Sequence, residues 1–340
     1  MAVDMHFHWG PKGFADALRQ RTVRPMIQRG EDGAEYFYSS FNPNKLPADH
    51  DSVDARLAEM DKNGVQHAVL SMSPVTGIEA LPLQDALPLA RAYNDAVAEV
   101  CKAHPSRFSG FAILPVGNMS AAVTEFERVM DMPGMIGAVL PGDGFLTEKR
   151  AQKFAPLMEA ANKRHAVFLV HYGKLPDDPE APKPDVTDNN RNRFGTLDMQ
   201  SRLSSNMVTF CMTDFLKPYP NVTVMSHNLG GNIPFEVDRM DHRTMCDTPG
   251  VELPSKKFKA APIMVDCNSL SGRAIELAVQ VYGADKIVFG SDGSDFGMNW
   301  TQNAINEARI SEAEKALIRD GNAKRLLAKV NSRFAAAAAE

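Results

Sequence analysis

Eight short apolar runs, each followed by a segment long enough for a helix, constrain this chain more than any other feature. The runs occupy residues 2–8, 67–72, 108–115, 135–141, 167–171, 222–227, 263–268 and 287–292. Amphipathic stretches at 53–63, 87–103, 121–130, 148–163, 272–282 and 310–329 lie between or after them. Strands that are apolar along their whole length, alternating with helices, indicate a parallel sheet covered by helices. Eight such units predict an α/β fold closed as a (β/α)8 TIM barrel rather than an open doubly wound sheet. A dinucleotide fingerprint would favour the open sheet, but Asn228-Leu229-Gly230-Gly231-Asn232 lacks the G-x-G-x-x-G spacing. A length of 340 residues suits one such barrel as a single domain over 1–340. Two segments interrupt the alternation: 11–51, with Tyr36-Phe37-Tyr38, and 173–206, which starts with Pro176, Pro179, Pro182 and Pro184. Both follow strand C-termini, where barrel enzymes place their active-site loops, so both are expected to cap a substrate pocket.

Charge and composition narrow the function. A net charge of -5 with no long basic run argues against nucleic acid as a partner. No apolar stretch approaches the roughly 20 residues that span a bilayer, so no membrane association is expected. The N-terminus lacks the basic start and apolar core of a signal peptide, which points to the cytoplasm. Cys101, Cys211, Cys246 and Cys267 are scattered without Cys-x-x-Cys spacing and read as free thiols.

The chemistry sits at the strand ends. In Asp4-Met5-His6-Phe7-His8, side chains two apart share a strand face, so His6 and His8 can aim two imidazoles at one point. His171, His227 and Asp292 each close a later apolar run, which brings them to the same barrel rim. Imidazoles and a carboxylate suit zinc and its first-row neighbours. We assign His6, His8, His171 and Asp292 as ligands with room left for water or substrate, the mark of a catalytic metal site. The fourth run ends Ala138-Val139-Leu140-Pro141, with no bridging acid or lysine, which favours one metal. His227 reads as a general acid/base beside that metal.

With these residues in place, the chain resembles the amidohydrolase superfamily. Within it, the chain is similar to the branch containing aminocarboxymuconate-semialdehyde decarboxylase and the aromatic-acid decarboxylases. The resemblance is carried by residues 4–8, 56–65, 226–239, Gly290-Ser291-Asp292 and 321–327, and covers nearly the whole chain. It implies one divalent ion, usually zinc with manganese the alternative, held at His6, His8, His171 and Asp292, with His227 and Asp292 catalytic. It also implies that Arg239, in Pro234-Phe235-Glu236-Val237-Asp238-Arg239, reaches a neighbouring subunit's site to hold a substrate carboxylate, and hence a homodimer. Two departures stand out. Asp292-Gly293-Ser294-Asp295-Phe296 replaces an Asp-Tyr-Pro-like stretch, leaving Phe296 as a substrate contact, and the first insertion offers Lys45 where relatives carry an arginine. A lysine supplies charge without the two-pronged grip of a guanidinium.

The expected function is therefore metal-dependent, non-oxidative decarboxylation of an unsaturated or aromatic carboxylic acid, in aromatic catabolism. The alternative is a hydrolase that attacks a carbonyl with metal-bound hydroxide, at a C–C bond of a ring-cleavage product or at an amide or ester. A third reading is a metal-binding scaffold without catalysis, which a missing ligand would favour; none is missing.

Overall fold

The computed structural model describes residues 1–39, 43–176, 178, 188–293 and 297–337, with side chains for all of these except 190 and 331–337. Its strands are β1 (Ala2–His8), β2 (Met26–Arg29), β3 (Glu35–Tyr38), β4 (Asn44–Lys45), β5 (Val65–Ser71), β6 (Phe108–Ala112), β7 (Met135–Pro141), β8 (Val167–His171), β9 (Thr223–Ser226), β10 (Ile263–Asp266) and β11 (Ile287–Val288). β1 and β5 through β11 form one sheet in chain order, every pair parallel. The sheet closes where the chain's two ends meet. Met5 N–H donates to Phe289 O at 2.9 Å, Asp292 N–H donates to His6 O at 3.0 Å, and Phe7 bridges Gly293 in parallel. The expected barrel is the observed one, and β2–β3–β4 form a separate antiparallel sheet in the first insertion.

Apolar side chains fill both faces of the sheet, as an all-parallel barrel requires. Val3, Met5, Val69, Phe111, Val139, Leu169, Met225 and Val288 pack together inside. Ala323, Leu326 and Val330 of the final helix (Asn322–Ala337) join that cluster. A larger cluster lies between sheet and helices and includes Phe7, Tyr93, Phe126, Phe168 and Ile275. Strict alternation along β1 would carry Phe7 inward after Val3 and Met5. Instead the pairing of β1 with β5 shifts register between Asp4 and Phe7. Phe7 then packs outward, and His6 and His8 turn towards the barrel axis, the re-aiming that a β-bulge performs.

Several strands stop earlier than the apolar runs predict, and buried polar side chains explain why. Run 108–115 is regular only over Phe108–Ala112. There Asn94 takes over: its Oδ1 accepts Ile113 N–H at 2.9 Å and its Nδ2 donates to Ile113 O at 3.0 Å. Run 263–268 ends at Asp266, whose Oδ1 accepts the N–H groups of Asn228 and Asn268, each at 3.0 Å. Run 287–292 is regular only over Ile287–Val288, because Ser291 N–H goes to Asp4 Oδ1 at 3.1 Å and Asp292 adopts a left-handed φ of 52°.

Asn94 also donates to Glu125 Oε1 at 2.9 Å, so one buried amide joins a helix, a strand end and a buried carboxylate. Replacing it by alanine leaves buried donors and acceptors unmade. Asn94→Ala is expected to lower unfolding free energy by about 2–3 kcal/mol, read as a lower urea midpoint at unchanged slope.

Candidate metal centre

The inward turn of β1 brings His6 Nε2 and His8 Nε2 to 3.0 Å from each other. His171, ending β8, places its Nε2 3.2 Å from that of His8. Asp292 Oδ1 lies 3.4 Å from His6 Nε2, 3.0 Å from His8 Nε2 and 3.9 Å from His171 Nε2. All four residues are buried.

The far side of each imidazole is already engaged. His6 Nδ1 donates to Asp266 Oδ2 at 2.8 Å, His171 Nδ1 donates to Tyr172 O at 2.8 Å, and His8 Nδ1 meets Ser71 Oγ at 2.9 Å. A proton held on Nδ1 of His6 and His171 leaves a lone pair on each Nε2, pointing at the Asp292 carboxylate. Lone pairs and a carboxylate packed this closely in a buried site repel one another unless a cation lies among them. Bonds of about 2.0–2.1 Å in tetrahedral geometry set ligand–ligand separations near 3.4 Å, the middle of the observed range. The donor set thus fits a divalent metal.

Electrostatics agree. Burial, reinforced by the neighbouring His8 imidazole, pushes His6 well below its ordinary pKa, so it stays neutral and able to ligate. Burial would raise Asp292, but the imidazoles of His171, His227 and His8, together with His6, hold it well below the carboxylate range. Gly290 permits the close assembly, since a Cβ there would stand 2.9 Å from Asp266 Cβ and 3.0 Å from His6 Cβ.

His227 lies beside this cluster. Its ring stacks on His171 at 4.0 Å between centroids, and its Nε2 is 3.7 Å from Asp292 Oδ2. Neither ring nitrogen has a hydrogen-bond partner although the residue is buried. Burial, with His171 alongside, lowers its pKa to about 4, below the near-neutral value that the sequence reading supposes for an acid/base group.

The structure therefore brings together His6, His8, His171, His227 and Asp292. It does not bring Lys45 to them: that residue is exposed on β4, with Nζ 2.7 Å from Asp32 Oδ2. Arg239 is exposed on the helix Ile233–Asp247. Phe296 lies outside the described residues.

Sequence reasoning missed the residues that hold the ligands. Asp4 receives His6 N–H at 3.1 Å and the Ser291 hydroxyl at 2.5 Å, tying the first ligand strand to the loop that carries Asp292. Asp266 fixes His6, Ser71 fixes His8, and Asn268 Nδ2 donates to Asp292 Oδ2 at 2.9 Å. Asp266 and Ser71 end β10 and β5 but lie inside the longer apolar runs of the sequence, so the strand-end argument passes them by. Glu79 gives no strand-end signal. It is 1% exposed in a short turn after β5, and neither carboxylate oxygen has a hydrogen-bond partner.

Comparison with known proteins places the chain in a family. The family profile described as Amidohydrolase fits residues 3–329, and the chain belongs to that family. A gamma-resorcylate decarboxylase from Rhizobium radiobacter is 25% identical over 291 residues, which is 81% of this chain and 87% of the relative. A 2-amino-3-carboxymuconate-6-semialdehyde decarboxylase from Dictyostelium discoideum is 25% identical over 70% of this chain and 66% of its own. Among solved structures, 5-carboxyvanillate decarboxylase from Sphingomonas paucimobilis superposes with a TM-score of 0.71 at 23% identity, covering 96% of this chain and 98% of the other. A dihydroxybenzoic acid decarboxylase from Polaromonas, solved with bound manganese and 2-nitroresorcinol, gives a TM-score of 0.69 at 20% identity, covering 96% of each chain.

Burial raises the Glu79 carboxyl to about 7, a rise that the nearby His171 partly opposes. The folded state then keeps a proton that the unfolded chain releases near pH 4.5. Its contribution to stability is full below that pH and is lost as pH rises towards 7, on the order of 3 kcal/mol in all. Glu79→Gln is expected to flatten this part of the stability profile. Urea unfolding of both proteins between pH 5 and 8 checks it, and parallel profiles would contradict it.

Proposed function

We propose that this chain is a metal-dependent, non-oxidative decarboxylase of an aromatic or unsaturated carboxylic acid, acting in aromatic catabolism in the cytoplasm. One observation carries the reading: a buried cluster suited to a divalent ion has, at its side, a buried histidine with both ring nitrogens unpartnered. The names of the relatives, gamma-resorcylate decarboxylase among them, support the same reaction. Zinc is the ion we assign, because three imidazoles and one carboxylate suit it; manganese, found in the Polaromonas structure, is the alternative.

Held by His6, His8, His171 and Asp292, the ion supplies a Lewis acid for negative charge on the substrate. His227 supplies the proton. As the bond between the carboxylate and its carbon breaks, carbon dioxide leaves, the electron pair stays on that carbon, and a proton from the His227 ring completes the new C–H bond. With a pKa of about 4 the ring rests neutral, so it first takes up a proton from solvent and then passes it to the carbon as the imidazolium, a strong donor, returning to the neutral form. Asn268 steadies Asp292 during the step through its 2.9 Å hydrogen bond.

Substrate selection falls, in this reading, to the insertions and to a second copy of the chain. Arg239 shares its exposed helix with Phe235, 60% exposed, and Met245, 53% exposed. A homodimer formed on this face would cover those apolar groups and carry Arg239 towards the partner's pocket. Phe296 is assigned, in this reading, an apolar contact to the ring.

Metal analysis of purified protein is expected to give about one divalent ion per chain, lost in the His6→Ala, His8→Ala double variant. Two ions per chain, or none after reconstitution, would overturn the site. Incubation with 2,6-dihydroxybenzoate and related acids should release carbon dioxide. His227→Asn should reduce kcat by about 10²–10⁴-fold at unchanged metal content. Consumption of water without carbon dioxide would assign a hydrolase instead.

A further inference from the structure

The helix Met199–Met212 lies against the turns Gly142–Phe145 after β7 and Asn228–Gly230 after β9, and carries polar groups for which neither the fold nor the metal cluster accounts. Asn206 is 0% exposed, and neither its Oδ1 nor its Nδ2 has a hydrogen-bond partner. Asp143 follows β7, is 2% exposed, and leaves its Oδ1 unpartnered. Its Oδ2 accepts from Arg202 Nη1 at 2.9 Å, and Arg202 Nε donates to Asp198 Oδ2 at 2.9 Å. Arg202 precedes Asn206 by four residues, so both point to the same side of the helix.

These groups adjoin the ligand strand. Asp143 N–H donates to Gly173 O at 3.0 Å, two residues beyond the ligand His171. A Cβ on Gly142 would stand 2.6 Å from Asn206 Nδ2 and 3.0 Å from His171 O, so only glycine lets the amide come this close to the backbone of His171. The unpartnered Asn206 amide thus packs on Gly142, the residue next to Asp143 and its unpartnered carboxylate oxygen. Buried polar groups left unmade are rare and call for a ligand or water to complete them.

We propose that Asp143 and Asn206 form a specificity subsite that recognises a hydroxyl substituent on the substrate. The inference rests on the aromatic-carboxylate reading above. A hydroxyl donates to Asp143 Oδ1, an acceptor only, and accepts from Asn206 Nδ2. A methyl group at that position leaves both partners unpaired. A second carboxylate meets the Asp143 charge, and the two arginines beside it are already engaged, Arg202 with Asp143 and Asp198 and Arg150 with Asp143 O and Asp178.

The test compares 2,6-dihydroxybenzoate with its near-isostere 2,6-dimethylbenzoate by calorimetric titration of metal-loaded protein. Wild type should bind the dihydroxy compound at least ~100-fold more tightly, since a site built to hydrogen-bond a hydroxyl discriminates strongly against its absence. Asp143→Asn and Asn206→Leu should each cut that ratio at least ~10-fold, with metal content and dimethyl binding unchanged. Should Asp143→Asn fail to fold, Asn206→Leu decides alone. Leucine relieves an unpaired buried amide, so this variant should melt at a higher temperature than wild type without ligand. A ratio retained in the folded variant, or no binding of either compound to wild type, overturns the subsite. The two readings fail separately. A ratio that depends on Asn206 with no carbon dioxide released keeps the subsite and removes the decarboxylase. Carbon dioxide released with the ratio intact in the variants does the reverse.

Discussion

The seam between β1 and the stretch after β11 is the constraint on which the site depends. Two backbone hydrogen bonds, Met5 to Phe289 and Asp292 to His6, close the barrel there. The Asp4 carboxylate adds Ser291 N–H and the Ser291 hydroxyl to the same joint. His6, His8 and Asp292 stand on the two sides of it, so the contacts that complete the fold also assemble three of the four ligating groups. A barrel left open at this edge would present unpaired strand edges and separate its ligands by the length of the chain.

The interior divides into polar atoms that are tied and polar atoms that are not. Asp4, Asp266, Ser71 and Asn94 spend their hydrogen bonds largely on backbone groups and on the backs of the His6 and His8 imidazoles, fixing geometry. The side chains of His227, Asn206 and Glu79, and one oxygen of Asp143, are buried with no hydrogen-bond partner. Unmade hydrogen bonds in a closed interior cost stability, and a well-packed barrel can carry them where a ligand, water or proton completes the set. The contrast separates the scaffold of the site from the groups left over for chemistry.

Much of this was legible in the sequence, for a specific reason. Barrel strands run in one direction, so a polar residue closing an apolar run necessarily lands on the catalytic rim. That rule suffices for His6, His8, His171, His227 and Asp292. It does not reach Asp266 and Ser71, which lie inside apolar runs that continue to Asn268 and Met72. Asp4 sits inside a strand, Glu79 in a short turn and Asn206 in the middle of a helix. Nothing in their spacing marks them, because their partners lie on other elements. The lengths of the strands were overestimated for the same reason. Hydrophobicity continues past Ala112, Asp266 and Val288, but buried side chains take the N–H groups of Ile113, Asn268 and Ser291, so the regular ladder ends early.

The sequence by itself determined the eightfold alternation, hence the parallel barrel, and the side-chain chemistry gathered on its rim. These follow from local hydrophobicity and strand direction, which each segment carries alone. Tertiary structure decided which nitrogen of each imidazole faces the centre, because Asp266, Tyr172 O and Ser71 hold the other. It decided that β1 shifts register so that His6 and His8 turn inward, and it lowered the pKa of His227 through burial. Burial, register and hydrogen-bond partnership are properties of pairs of segments distant in sequence, and they come into being only when the barrel closes.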